Sequence, residues 1–175
     1  MAKFLANTGI VSIKRKKCEI CPLTANSSKT SRKSERMSQF DALTKYISII
    51  DNDEIGHWYI DRENDGTPEH PIQLPFVVFS EMVNHFVDDV YAMVEGHPEW
   101  ELNHYGQILE QNGIKWESKS MSGAIVEDLD TRCICALLVG AVRAERFCDG
   151  ALMAFFKDGS ITRWLQRLKE IDEEK

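Results

Sequence analysis

No apolar run in this chain reaches the roughly 18 residues that a membrane-spanning helix needs. The longest, Cys133 to Val142, is bounded by Arg132 and Arg143. Nor does an apolar stretch near the start lead into a small-residue cleavage site, so no export signal is expected. Five cysteines, Cys18, Cys21, Cys133, Cys135 and Cys148, make an odd set. Without an export signal they read as reduced thiols of a cytoplasmic protein rather than as a disulfide framework. A nucleophile elbow, a phosphate-cradling glycine loop and paired metal motifs are all missing. Cys18 and Cys21 form a C-x-x-C, but a structural zinc site takes four ligands and no second pair lies nearby. The βαβ setting of a thiol redox motif is absent too. No metal and no cofactor is therefore expected.

The charge is unevenly spread. The formal net charge is −7, yet the first 36 residues hold nine Lys/Arg against two Asp/Glu, and the remainder holds twelve against twenty-six. An acidic body follows a basic leader. The acidic body repels phosphates, so nucleic acid is not expected as a partner except through residues 1–36. Within that leader the stretch from Asn26 to Ser34 is nearly free of apolar side chains and cannot bury enough surface to order itself. The expected organisation is a basic, disordered extension over 1–36, one helical domain over 37–170, and a charged, frayed tail over 171–175.

Helical spacing organises the domain. Phe40, Leu43, Ile47 and Ile50 predict a first helix over 38–50, with Ser38 as its cap. His57 to Ile60 is a short aromatic segment, a strand or extended. It enters a long loop over 61–71, marked by Asp65-Gly66 and two prolines. A long helix is expected from Pro75 to Glu95, its apolar face built from Phe76, Phe79, Val83, Phe86, Val87, Val90 and Val94. Trp100 to Gln111 predicts a third helix, and Ser118 to Gly123 a loop. Asp128 or Asp130 caps a central helix running from Thr131 to Phe147. Asp149 caps a short helix bearing Leu152, Phe155 and Phe156, and Ser160 caps the last. The fold class is all-α in the main, a compact orthogonal bundle of five to seven helices, with room for one short extended pair.

Two groups of residues are candidates for chemistry. On the long helix, Glu81, His85 and Asp89 recur every fourth residue with Asp88 beside them. That row suits acid–base work, or is the wet face of an amphipathic helix. On the central helix, Arg143 and Arg146 share a face, and two guanidinium forks can hold a carboxylate or a phosphate. The domain's own acidic groups would serve as partners equally well. Glu145 joins Glu81 and His85 as a catalytic candidate. Glu69 and His70 on the loop join the arginines as ligand-binding candidates.

The segment from Gly140 through Arg143, Glu145, Arg146 and Phe147 to Gly150 carries a resemblance. Followed by Asp158-Gly159-Ser160-Ile161 and Trp164-Leu165, it resembles an uncharacterised family of small bacterial and phage proteins. That family has an R-x-E-R-F-x-x-G element and an I-x-x-W-L ending. The run from Asp65 to Ile72 and the following Pro75 are similar to it as well. The resemblance spans about Met37 to Leu168 and implies a bacterial or phage cytoplasmic protein, with no activity to carry over.

Three readings of function stay open. The first is a protein-interaction or regulatory module, with another protein as partner and no membrane. The second is a ligand-binding protein or enzyme, with Arg143 and Arg146 anchoring an anion beside Glu81, His85 and Glu69. The third is nucleic-acid binding through the basic leader. The second requires Glu81, His85, Arg143 and Arg146 to converge on one cavity.

Overall fold

An apolar face that goes all the way round a helix needs neighbours on every side, and the segment after Asp130 obtains them. The computed structural model describes residues 38–174. The basic leader, Cys18, Cys21 and Lys175 lie outside the described residues. Among the described residues are seven α-helices, α1 (Asp41–Thr44), α2 (Glu81–Gly96), α3 (Tyr105–Gln111), α4 (Ser118–Ser122), α5 (Thr131–Ala144), α6 (Ala151–Lys157) and α7 (Ser160–Glu173), and two strands, β1 (Gly56–Tyr59) and β2 (Phe76–Phe79). The fold is mainly helical, as the spacing implies, and the two strands form one short antiparallel pair.

The central helix, α5, starts where Asp130 accepts a hydrogen bond from the Cys133 amide at 2.7 Å. Every residue from Cys133 to Val142 is buried. Helices α2, α3, α6 and α7 pack against it. Each large apolar side chain so covered contributes about 1.5–3 kcal/mol. At Gly140 a Cβ would come 3.1 Å from Met121 Cε, and the glycine carbonyl accepts the Trp116 indole N–H at 3.0 Å. Gly140 therefore lets the segment before α4 lie directly on the helix backbone.

Several elements differ from the sequence expectation, each for a physical reason. The helix expected from Pro75 begins only at Glu81. Phe76 to Phe79 pair instead with β1, Tyr59 opposite Phe76 and Gly56 opposite Phe79. The Ser80 hydroxyl accepts from the Val83 amide and starts α2 there. Aromatic and β-branched residues suit a strand as well as a helix face, and the partner strand decides. The expected 38–50 helix is one turn of α-helix continued by a 3-10 turn, Lys45–Ser48. Residues 98–104 form two 3-10 turns broken at Glu101, whose φ of 50° is left-handed. The segment 118–123 holds helix α4 rather than a loop, anchored by buried Met121.

The caps also move. Helix α5 ends at Ala144, not Phe147. Gly150, not Asp149, caps α6, with φ 82° and no side chain to offer. A Cβ there would also lie 2.6 Å from the Trp58 ring, so the position requires glycine. Gly159 caps α7, and Asp158 rather than Ser160 supplies the acceptor, for the Ser160 amide at 2.8 Å. Helix α7 runs on to Glu173, past the point where a frayed tail was expected. Asp172 accepts the Gln39 amide at 3.1 Å, and Arg167 reaches Glu170 and Glu174 at 3.3 and 3.7 Å.

Candidate functional site

The start of α2 and the 3-10 turn before β1 form an open cleft of about 560 Å³. The Ser80 cap fixes where α2 begins. At about 100° per residue, Glu81, His85, Asp88 and Asp89 then project from one side of the helix. Lys45, Tyr46, Ile49 and Asp53 line the opposite wall, and Met82 contributes apolar floor. Two of these residues are tied together. Asp89 accepts from the Tyr46 hydroxyl and from Lys45, both at 2.7 Å. Glu81, Asp88 and Asp53 have no ion-pair partner among the described residues. The one lysine of the cleft is thus committed, and three carboxylates face solvent. Among the described residues no group of three or more His, Cys, Asp or Glu is arranged to hold a metal ion.

Burial by itself pushes the Asp89 carboxyl up. The hydrogen bonds from Lys45 and then Tyr46, with the charges of Lys45 and His85, outweigh it and leave Asp89 below its ordinary value. Burial first, then the Asp89 hydrogen bond and charge, raises the Tyr46 phenol. A carboxylate with a depressed folded pKa stabilises the fold above its unfolded value of about 3.9, and that contribution is lost as pH falls through the folded pKa. Asp89→Asn is therefore expected to lower the urea midpoint at pH 7. The gap between the two proteins should narrow as pH falls below about 4 and through the folded pKa of Asp89. A gap between them that stays constant across that window would show that the carboxylate charge is not what the site uses.

The sequence candidates divide. Glu81 and His85 share the cleft with Asp88 and Asp89, as their spacing implies. Arg143 and Arg146 are not among its lining residues. The Arg143 guanidinium sits 5.2 Å from the centroid of the Tyr91 ring, a cation–π contact on another side of α2, and Arg146 is exposed at the end of α5. Glu145 is engaged in backbone capping. Its two oxygens accept the Gly150 amide at 2.7 Å and the Leu152 amide at 2.8 Å. Glu69 and His70 lie exposed on the 61–75 connection, which is knitted to itself. Asp61 accepts amides from Glu63, Asn64 and, across the loop, Gln73 at 2.9 Å. These bonds, the one from Gln73 foremost, hold the Asp61 carboxyl well below the usual range.

Lys45, Tyr46 and Asp53 are the cleft residues that sequence reasoning passed over. Tyr46 carried a signal, since it stands three residues after Leu43 and four before Ile50, the spacing of an inward face. It is buried, and its ring meets Phe86 edge-on at 5.3 Å.

A family model described as a family of unknown function (DUF6508) matches residues 35–174. No curated protein and no solved structure matches the chain.

Proposed function

The chain belongs to the DUF6508 family of unknown function, and from that premise we propose that its domain is a protein-interaction module that takes a basic partner in the cleft between α2 and the turn at 45–53. The observation that carries this is the charge imbalance of the cleft: Asp53, Glu81 and Asp88 have no ion-pair partner among the described residues, and its lysine is already held by Asp89. Lysine or arginine side chains of a partner supply the missing cations, and the open shape admits a chain segment rather than enclosing a small molecule. Met82 and Ile49 offer apolar contact to the side-chain stems.

The reading with an Arg143/Arg146 anion anchor is less well supported, because Glu81 and His85 open to one face while Arg143 lies on Tyr91. The finer attributes belong to the same proposal. An orthogonal bundle is supported by the packing of four helices on α5. A single domain that begins near residue 37 is supported by the family match over 35–174. A cytoplasmic setting and a bacterial or phage origin rest on cysteine usage and on the family resemblance.

The test is a titration of a fluorescent oligoarginine peptide, read by anisotropy, on the wild type and on the triple variant Asp53→Asn/Glu81→Gln/Asp88→Asn. The triple variant is expected to bind about 10–30-fold more weakly at low salt, at roughly 0.5–0.7 kcal/mol per exposed charge. Added salt should erase most of the difference. Equal affinity of the two proteins would remove the cleft from the reading.

A further inference from the structure

A second surface has the opposite character. Between α4 and the bend joining α5 to α6 lies an apolar groove of about 360 Å³, walled by Trp116, Met121, Phe147, Cys148 and Phe155, with Glu117 its one charged residue. Phe147 stands at its rim with 78% of its surface exposed. Its ring leans edge-on against Trp116 at 5.6 Å. Large apolar side chains this exposed, beside a groove that could take one, are a contact surface that lacks its occupant.

Charge decides what the occupant is. A basic partner has the acidic cleft to choose. Most of the body, with twenty-six acidic against twelve basic residues after position 36, repels another copy of itself. The bend is different. Exposed Arg146 and exposed Asp149 flank Phe147 and Cys148, and neither has an ion-pair partner among the described residues. This patch holds one basic and one acidic side chain beside the groove's single Glu117, far less one-sided than the body, and carries both a knob and a hole, which is what a self-complementary two-fold contact requires.

The geometry points to a homodimer in which Phe147 of each copy fills the groove of the other about a two-fold axis between Phe147 and Cys148. Such an axis sets Arg146 opposite the partner's Asp149, twice, and brings the two Cys148 thiols near one another. Each groove, already walled by its own Trp116, Phe147 and Phe155, is then closed by the ring of the partner's Phe147.

Sedimentation velocity of the full chain over a concentration series tests this. The wild type is expected to be dimeric. Phe147→Glu, at a position 78% exposed, should retain the circular dichroism spectrum and weaken dimerisation at least about thirtyfold. Arg146→Glu and Asp149→Arg should each weaken it, and the double swap should restore it. In a Cys18→Ser/Cys21→Ser background a short bismaleimide should join two chains through Cys148. A wild type that is monomeric throughout overturns the proposal, and so does a dimer indifferent to Phe147→Glu or not rescued by the swap. A monomer whose Cys148 alkylation is slowed by the apolar probe anilinonaphthalene sulfonate assigns the groove to a small ligand instead and equally overturns it.

Discussion

Trp164→Ala is expected to lower the unfolding free energy by about 3–5 kcal/mol, the largest effect of any substitution considered. Trp164 is fully buried on the inner face of α7, with its ring 5.5 Å from that of Phe155. Truncation removes the apolar area and leaves a cavity that neighbouring helices cannot close without moving. Domains of this size are stable by only about 5–15 kcal/mol, so the variant should sit near the edge of unfolding. The companion substitution makes the argument specific. The Trp164 indole N–H is buried with no hydrogen-bond partner among the described residues. An unsatisfied buried donor costs about 1–3 kcal/mol, and Trp164→Phe removes that donor together with some volume. Its net loss should therefore be small, under about 1.5 kcal/mol, a difference set by offsetting donor and packing terms. Urea denaturation at neutral pH reads both. A Phe variant as damaged as the Ala variant would mean that the N–H finds a partner in solution.

Glu145→Ala is expected to cost about 2–3 kcal/mol. A single helix cap contributes about 0.5–2 kcal/mol, and hydrogen bonds to a charged acceptor lie at the upper end of the scale. Here one carboxylate accepts two amides of the first turn of α6, whose capping residue Gly150 has no side chain to do so. Glu145→Gln keeps one acceptor oxygen and should lose about half as much. The loss should appear in the urea midpoint with the m-value unchanged. A Glu145→Ala protein with the wild-type midpoint would return Glu145 to the list of groups free for chemistry.

These two residues show where the sequence was readable and where it was not. Ile161, Trp164, Leu165 and Leu168 are all buried as their helical period implies, and the ten buried residues of α5 announce themselves as an unbroken apolar run. Such patterns depend only on local chain geometry. Glu145 was read as chemistry because a charge beside a buried helix must find something, and the sequence does not say whether that is a ligand or a backbone amide five residues on. The strand at 76–79 was missed because Phe76, Phe79 and Val83 also fit a helix face. Its true partner, Gly56 to Tyr59, lies across a sixteen-residue connection. Helix α4, with three serines in five residues, has little intrinsic helical preference and is held by Met121 in the core. Of the candidate cleft, one wall was legible from the row Glu81, His85 and Asp89. The facing wall depends on tertiary packing that brings residue 46 to residue 89, which no periodicity encodes.

The Gln39–Asp172 hydrogen bond joins residues 133 positions apart, and α1 and the 3-10 turn after it pack on α7. This has a consequence for birth on the ribosome. The first helical turn of the domain must wait for nearly the last before it can be covered, and until then α5 leaves the exit tunnel with one of its neighbours unmade. Its ten apolar residues are uncovered on that side until α7 has been made. The nascent chain is therefore most in need of a chaperone between the emergence of α5 and that of α7.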